Sequence, residues 1–219
     1  MVDRSSDERI RTITIAPLGL EGLLGLPPGA KGIVLFAHGS GSGRLSPRNN
    51  FVAQALRDSG LATLLFDLLT VEEARDRRNV FDIELLAHRL LMAAAWARGY
   101  METGDLPIGY FGASTGAAAA LVAEATHEGR VGAIVSRGGR PDLAGRALPA
   151  VEAPTLLIVG GDDREVLALN RAALAKLRCA KQLVIVPGAT HLFEEPGTLE
   201  AVVEHARGWF LTHFMEAKR

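Results

Sequence analysis

The sequence predicts a single α/β domain built on a mostly parallel, doubly wound sheet. Eight short apolar runs alternate with amphipathic segments whose apolar residues recur with a period near 3.6. Several of the apolar runs are continuous rather than alternating, which is typical of strands that helices cover on both faces. The chain has 219 residues, 48% of them hydrophobic, enough for one domain with a buried core. We therefore expect residues 1–219 to form one domain.

The elements follow from these patterns in chain order. Strands are predicted at residues 11–15, 21–26, 31–37, 61–68, 107–112, 131–135, 154–159 and 182–186. Helices are predicted at residues 50–58, 81–98, 115–125 and 167–177, and in a last segment whose apolar stripe runs from 199 to 210. The helix at 115–125 is nearly all apolar, so it should lie at the centre. Two or three opening strands followed by β-α repeats indicate the α/β class.

Composition excludes several classes of function. The 24 basic and 25 acidic residues give a formal charge of −1, which does not suit a protein that binds nucleic acid through its phosphates. The apolar runs are too short to cross a bilayer, residues 1–10 lack the apolar stretch of a signal peptide, and the lone Cys179 excludes an intrachain disulfide. We expect a cytoplasmic monomer or homodimer that acts on a small molecule, with no metal or cofactor and no membrane or nucleic-acid partner.

A candidate nucleophile follows the strand at 107–112. The residues Gly-Ala-Ser-Thr-Gly at 112–116 match the G-x-S-x-G nucleophile elbow, in which a serine occupies a strained turn between a strand and a helix. The turn is so sharp that side chains two positions before or after the serine would collide with its surroundings. Ser114 is therefore the predicted nucleophile.

A serine hydroxyl needs a base that a third group orients. His191 follows the last predicted strand, and Asp162 and Asp163 follow the strand before it. The residues alone do not separate these two aspartates, and Asp67 at another strand end is a further candidate acid or a group that orients a loop. The order Ser, Asp, His is that of α/β-hydrolases.

The strand at 31–37 leads into a glycine-rich loop, His-Gly-Ser-Gly-Ser-Gly-Arg at residues 38–44. In this architecture one oxyanion donor is the backbone N–H after the nucleophile, here Thr115, and the other comes from this loop, for which we predict Ser40. The rival interpretation is a nucleotide-phosphate cradle. It fails because the third glycine of a dinucleotide motif would fall on Arg44 or Ser46.

These motifs resemble the dienelactone-hydrolase-like branch of the α/β-hydrolases over nearly the whole chain. The resemblance is carried by residues 38–40, 112–116, 160–166 and 188–191. The family's acid commonly stands three residues before a valine, which implies Asp163 rather than Asp162. Dienelactone hydrolases proper carry a cysteine at the nucleophile, whereas this chain carries Ser114.

The surroundings of the site suggest its substrates. The stretch from 136 to 153 is too short for a cap domain, so we expect an open site that accepts small acyl groups. One or two loop arginines could hold a carboxylate or phosphate of the substrate, because a guanidinium binds such groups bidentately. The alternatives are a solvated rim, or pairing with Asp142 or Asp67. The candidates are Arg44, Arg48, Arg137 and Arg140.

Together these residues predict a serine hydrolase that cleaves small carboxylic esters through Ser114, His191 and Asp163. The same triad could serve a thioesterase, an acyltransferase or a lactone hydrolase. A non-catalytic α/β-hydrolase-like binding domain is the alternative from another class, although such a domain has no need to retain nucleophile, base and acid together.

Overall fold

One eight-stranded sheet forms the centre of the fold. The computed structural model describes residues 10–126 and 128–216, so the first nine residues, on which the expectation of no signal peptide rests, lie outside this part. The strands are β1 (Arg11–Ile15), β2 (Leu20–Gly25), β3 (Ile33–Ala37), β4 (Ala62–Phe66), β5 (Ile108–Ala113), β6 (Ala133–Arg137), β7 (Thr155–Gly160) and β8 (Lys181–Val186). Their spatial order is β1-β2-β4-β3-β5-β6-β7-β8.

The first two strands run antiparallel to their neighbours, whereas β3 to β8 are parallel. The predicted doubly wound sheet is therefore confirmed. Since β3, β5, β6, β7 and β8 end at one edge, the loops that follow them lie together there. This edge carries every predicted catalytic residue.

Five helices cover the two faces of the sheet. They are α1 (Pro47–Asp58), α2 (Ile83–Gly99), α3 (Thr115–Glu124), α4 (Arg164–Lys176) and α5 (Thr198–Glu216). Helices α2, α3 and α4 contribute to the core on one face, and α1 and α5 to the core on the other. All ten residues of α3 are buried, as its apolar sequence predicts. Helix α1 begins three residues before the predicted start, because Ser46 caps it and Pro47 occupies its first turn.

Two connections contain short 3₁₀ turns. Residues Pro141–Ala150 form 3₁₀ turns, kinked at Gly145, that pack against α3 and α4. The charged segment after β4 contains two short 3₁₀ turns, Glu73–Arg75 and Asn79–Phe81. No cap domain stands over the site in the described part of the chain, as expected. Within the same part, no helix is both long and apolar enough to cross a membrane.

Candidate active site

Ser114 occupies the sharp turn between β5 and α3. Its backbone angles, φ 50° and ψ −122°, lie in a region that side chains rarely adopt. The flanking glycines are required by close packing, since a Cβ on Gly112 would lie 2.4 Å from Cα of Ala117, and one on Gly116 would lie 2.1 Å from the carbonyl oxygen of Ala37. The turn therefore has the steric properties of a nucleophile elbow.

The imidazole of His191 is oriented by Asp163. Asp163 lies between β7 and α4, His191 follows β8, and the His191 Nδ1 to Asp163 Oδ2 distance is 2.7 Å. The Asp163 side chain is 14% exposed and that of His191 is 41% exposed, so the pair meets solvent from the imidazole side. The structure thus places Asp163 at the imidazole. Asp162 instead donates its backbone N–H to the carbonyl of Ala189.

The loop that carries His191 is closed by its own residues. Glu195 accepts hydrogen bonds from both the backbone N–H and the hydroxyl of Thr190, at 3.1 and 2.6 Å. These bonds hold the pKa of the Glu195 carboxyl below its ordinary value, and the bond from the Thr190 hydroxyl has the largest effect. The ionised carboxylate therefore fixes the backbone next to His191.

Ser114 and His191 line the same small cavity, of about 60 Å³. Its other lining residues include Gly39, Ser42 and Arg137. No hydrogen bond joins Ser114 to His191 in the described structure, and catalytic hydrogen bonds often tighten only when substrate binds. We call this space, lined by Ser114, His191 and Arg137, the small cavity.

His38 fixes the loop that follows β3, a role that the sequence analysis did not assign. Its Nε2 accepts the backbone N–H of Leu68 at 3.0 Å, which leaves Nδ1 to donate to the carbonyl of Gly39 at 3.0 Å. Burial lowers the pKa of His38, so the neutral tautomer that makes both bonds is favoured. The ring thereby ties the predicted oxyanion loop to the end of β4. The position of His38 at the start of the His-Gly-Ser motif is the only sequence signal for this role.

The two predicted oxyanion donors belong to the start of α3 and to the loop after β3. Thr115 is the first residue of α3, where helix N–H groups have no partner within the helix and the helix dipole is positive. The loop carrying Ser40 approaches closely, because a Cβ on Gly39 would be 2.9 Å from Cβ of Ser114. Both Ser40 and Thr115 line one cavity beside the elbow.

That second space, which we call the apolar cavity, measures about 320 Å³, the lower end of the range for small-molecule sites. The segment after β4 forms one wall, so the charged stretch of the sequence borders the site. Gly39 and Ser42 line both cavities, which therefore adjoin. The apolar wall consists of Leu69, Val71, Ala74, Val80 and Leu86.

Two of the four predicted substrate-binding arginines do not line the small cavity but pair with carboxylates of the chain. Arg44 forms ion pairs with Asp67 and Glu21, and its backbone N–H donates to Asp67 at 2.7 Å. Asp67 therefore orients the loop that carries Arg44, and it makes no hydrogen bond to His191 in the described structure. The guanidinium of Arg140 forms two hydrogen bonds with Asp142, at 2.9 and 2.8 Å. Both arginines therefore fit the alternative in which a loop arginine pairs with an aspartate of the same chain.

The other two arginines line the small cavity. Arg48 pairs with Glu194 at 2.8 Å and is 36% exposed. Arg137 is 9% exposed, and its Nε and Nη1 are buried without a hydrogen-bond partner. Of the four, Arg137 alone has no acidic partner in the described structure. The described residues also contain no cluster of three or more His, Cys, Asp or Glu side chains that could hold a metal.

Comparison with solved structures shows a close relative. The chain is 55% identical to a dienelactone hydrolase from Anabaena variabilis, with a TM-score of 0.90 and coverage of 94% of this chain and 98% of that one. It also resembles Est1E from Butyrivibrio proteoclasticus, with 17% identity, a TM-score of 0.78 and coverage of 93% and 99%. The second likeness concerns the fold alone.

Two curated proteins, from two strains of Mycobacterium tuberculosis, are 58% identical over 207 residues. They bear the provisional name phosphoribosyl transferase. The match covers 94% of this chain but 46% of theirs, so the chain spans about half the length of these relatives. No protein-family model matches the chain.

Proposed function

The chain belongs to the dienelactone-hydrolase-like branch of the α/β-hydrolases, and from this premise we propose that it is a serine hydrolase that cleaves carboxylic esters of small molecules. One observation supports the proposal above the others. The 2.7 Å contact between His191 and Asp163 lies beside the same small cavity as Ser114, which occupies a strained elbow. This arrangement supports a single site in which Ser114 is the nucleophile, His191 the base and Asp163 the orienting acid.

The proposed reaction has two halves. The Ser114 oxygen attacks the ester carbonyl while His191 takes its proton, and the backbone N–H groups of Ser40 and Thr115 hold the oxyanion. The C–O bond to the alcohol then breaks, His191 donates its proton to the departing alcohol, and an acyl-serine remains. Water adds to the acyl-serine with His191 again as base. The carboxylic acid leaves and Ser114 is regenerated.

Labelling and kinetics test this function. A fluorophosphonate probe should label the native protein and spare Ser114→Ala. Hydrolysis of 4-nitrophenyl acetate should fall by about 10³-fold or more in both Ser114→Ala and His191→Ala. Circular dichroism and thermal unfolding check that each variant is folded. Native-like hydrolysis by folded Ser114→Ala would refute the proposal, as would an unlabelled native protein.

The name of the Anabaena protein, dienelactone hydrolase, favours a lactone as a second substrate class. A lactone is an intramolecular ester, so Ser114 would open the ring and the alcohol would remain attached to the acyl group. Parallel assays of open-chain esters, thioesters and lactones rank these classes. All three should lose turnover in Ser114→Ala, because each requires the same acyl-serine.

The transferase name of the curated relatives applies to proteins about twice as long. We propose that it does not describe the half that corresponds to this chain, because here that half carries the elbow, the imidazole and its carboxylate. Release of pyrophosphate from phosphoribosyl pyrophosphate in the presence of acceptor bases provides the test. Activity that survives Ser114→Ala would favour the transferase.

A further inference from the structure

Arg137 is a buried cation without a partner beside the reactive serine. It is the last residue of β6 and pairs in register with Ala113, the residue before Ser114. Its side chain is nine-tenths buried and lines the small cavity together with Ser114 and His191. Both Nε and Nη1 are buried without a hydrogen-bond partner.

A buried guanidinium without a hydrogen-bond partner destabilises the folded protein unless a group of opposite charge binds it. Burial, with a smaller effect of nearby Arg48, lowers the pKa of Arg137 to about 10, so the guanidinium is still protonated at neutral pH. An unpaired buried charge is strongly disfavoured, because it loses the solvation that water provides. The other loop arginines avoid this cost by pairing with Asp67, Asp142 or Glu194.

Among the described residues, two cationic side chains and no carboxylate line the small cavity. Arg48 and Arg137 line it, Glu194 offsets only Arg48, and no aspartate or glutamate lines it. An anion that enters would therefore meet an uncompensated guanidinium in a desolvated setting, where charge-assisted hydrogen bonds are strongest.

The backbone around Arg137 is fixed on three sides. The N–H of Gly138 donates to the carbonyl of Ile158 on β7, and the side chain of Asn170 on α4 donates to the carbonyl of Gly139. The N–H of Arg140 donates to the carbonyl of Ser114 itself, at 3.0 Å. The position of Arg137 relative to the nucleophile is thus set by strands and helices, as precise substrate binding requires.

We propose that Arg137 binds an anionic group of the substrate, a carboxylate or a phosphate, close to the scissile ester bond. This inference rests on the proposed function and specifies its substrate class. A volume of about 60 Å³ is enough to admit such a group. The uncharged remainder of the substrate enters the apolar cavity, which adjoins at Gly39 and Ser42.

Matched substrates test this role through specificity. The native protein should prefer mono-4-nitrophenyl succinate to 4-nitrophenyl butyrate, two esters of similar length that differ in a carboxylate. In Arg137→Met, kcat/KM should fall by about 10- to 100-fold for the anionic ester, mainly through KM, and less than about threefold for the neutral one. Arg137→Lys should recover part of the preference. Arg207→Met, a surface control whose guanidinium pairs with Glu204 on α5, should match the native protein. Equal losses on both esters in folded Arg137→Met would overturn the proposal.

Binding without turnover separates this inference from the proposed function. In the Ser114→Ala background, inorganic phosphate or succinate should raise the thermal unfolding temperature, and adding Arg137→Met should abolish the rise. Stabilisation by either anion through Arg137 supports the proposal, and the stronger of the two identifies the group. Stabilisation that survives Arg137→Met, or no stabilisation by either anion, would reject it. This readout does not depend on whether Ser114 is the nucleophile.

Discussion

At residue 163 a single carboxylate determines which tautomer His191 adopts. The Asp163 carboxylate accepts a hydrogen bond from Nδ1–H of His191, so the ring proton lies on that nitrogen. Nε2 is then left without a proton, as a general base requires. We expect Asp163→Asn to lower kcat for 4-nitrophenyl acetate by about 10³- to 10⁴-fold with little change in folding, because an amide can present its N–H to Nδ1 and favour the wrong tautomer. Steady-state kinetics at one pH measure the effect.

Asp162→Asn is the matched control for this prediction. Asp162 precedes Asp163 directly, and its backbone rather than its carboxylate is tied to the loop of His191, through the carbonyl of Ala189. The control should keep kcat within about threefold of native, since most surface substitutions have small effects. Comparable losses in the two variants would contradict the assignment of the acid.

At the residue scale, the sequence predicts chemistry where that chemistry follows from a local pattern. The glycines at 112 and 116 mark the elbow because its geometry excludes side chains there. The residues alone left Asp162 and Asp163 unresolved, since adjacent positions at a strand end differ only in where their side chains point. The sequence also does not reveal that Arg137 lacks an acidic partner in the described structure. Arg48 finds its carboxylate 146 residues away, and no local pattern reveals which arginine lacks one.

At the scale of elements, the contact between α3 and β3 depends on Gly116. A Cβ there would lie 2.1 Å from the carbonyl of Ala37, and the backbone on both sides would have to move. We expect Gly116→Ala to lower the free energy of unfolding by about 3 kcal/mol or more and to abolish fluorophosphonate labelling.

Gly208→Ala within α5 is the control, since a Cβ there meets nothing within 4 Å. That variant should be up to about 1 kcal/mol more stable than native. Urea unfolding measures both, and a well-folded, labelled Gly116→Ala would show that the elbow tolerates separation from β3.

The segment between β4 and α2 has a clearer role in the structure than in the sequence. Its run of charged residues predicts an exposed loop, and most of its side chains are indeed exposed. Nevertheless Val71, Ala74 and Val80 contribute to the apolar cavity, while Glu73 pairs with Arg89 on α2. Sequence patterns assign a loop from its charged majority, and they miss the few apolar side chains that line a cavity.

Ala74 offers a test of this wall. Replacement by leucine adds three methylene-sized groups to the lining of the apolar cavity. We expect Ala74→Leu to reduce kcat/KM by about tenfold for esters with a bulky uncharged group and to leave 4-nitrophenyl acetate nearly unaffected. A series of 4-nitrophenyl esters of increasing acyl length measures the change. A uniform loss along the series would mean that the cavity does not receive that part of the substrate.

For the molecule as a whole, the alternation of apolar runs and amphipathic segments was sufficient to predict the eight strands and five helices. The order of strands in the sheet was not predictable in the same way. Strand β3 lies between β4 and β5, and β1 and β2 run antiparallel at one edge, an arrangement that depends on long-range pairing. The assignment of helices to faces follows from that order, so it too required the structure.

The stability of the whole fold carries a pH dependence through Glu124. This carboxyl, 1% exposed near the end of α3, accepts the backbone N–H groups of Glu152 and Ala153 just before β7. Burial outweighs these bonds and raises its pKa from 4.5 to about 7. Its stabilising contribution is therefore complete below about pH 4.5 and is lost as the pH rises through 7.

Glu124→Gln removes this titration and isolates it from other groups. The buried His38, whose lowered pKa acts in the opposite direction, is present in both proteins and cancels in the comparison. We expect the unfolding free energy of the native protein, measured relative to Glu124→Gln by urea unfolding, to fall by on the order of 3 kcal/mol between pH 4.5 and 8. Parallel curves for the two proteins across this range would mean that Glu124 is already ionised in the fold. The two backbone N–H groups would then outweigh burial.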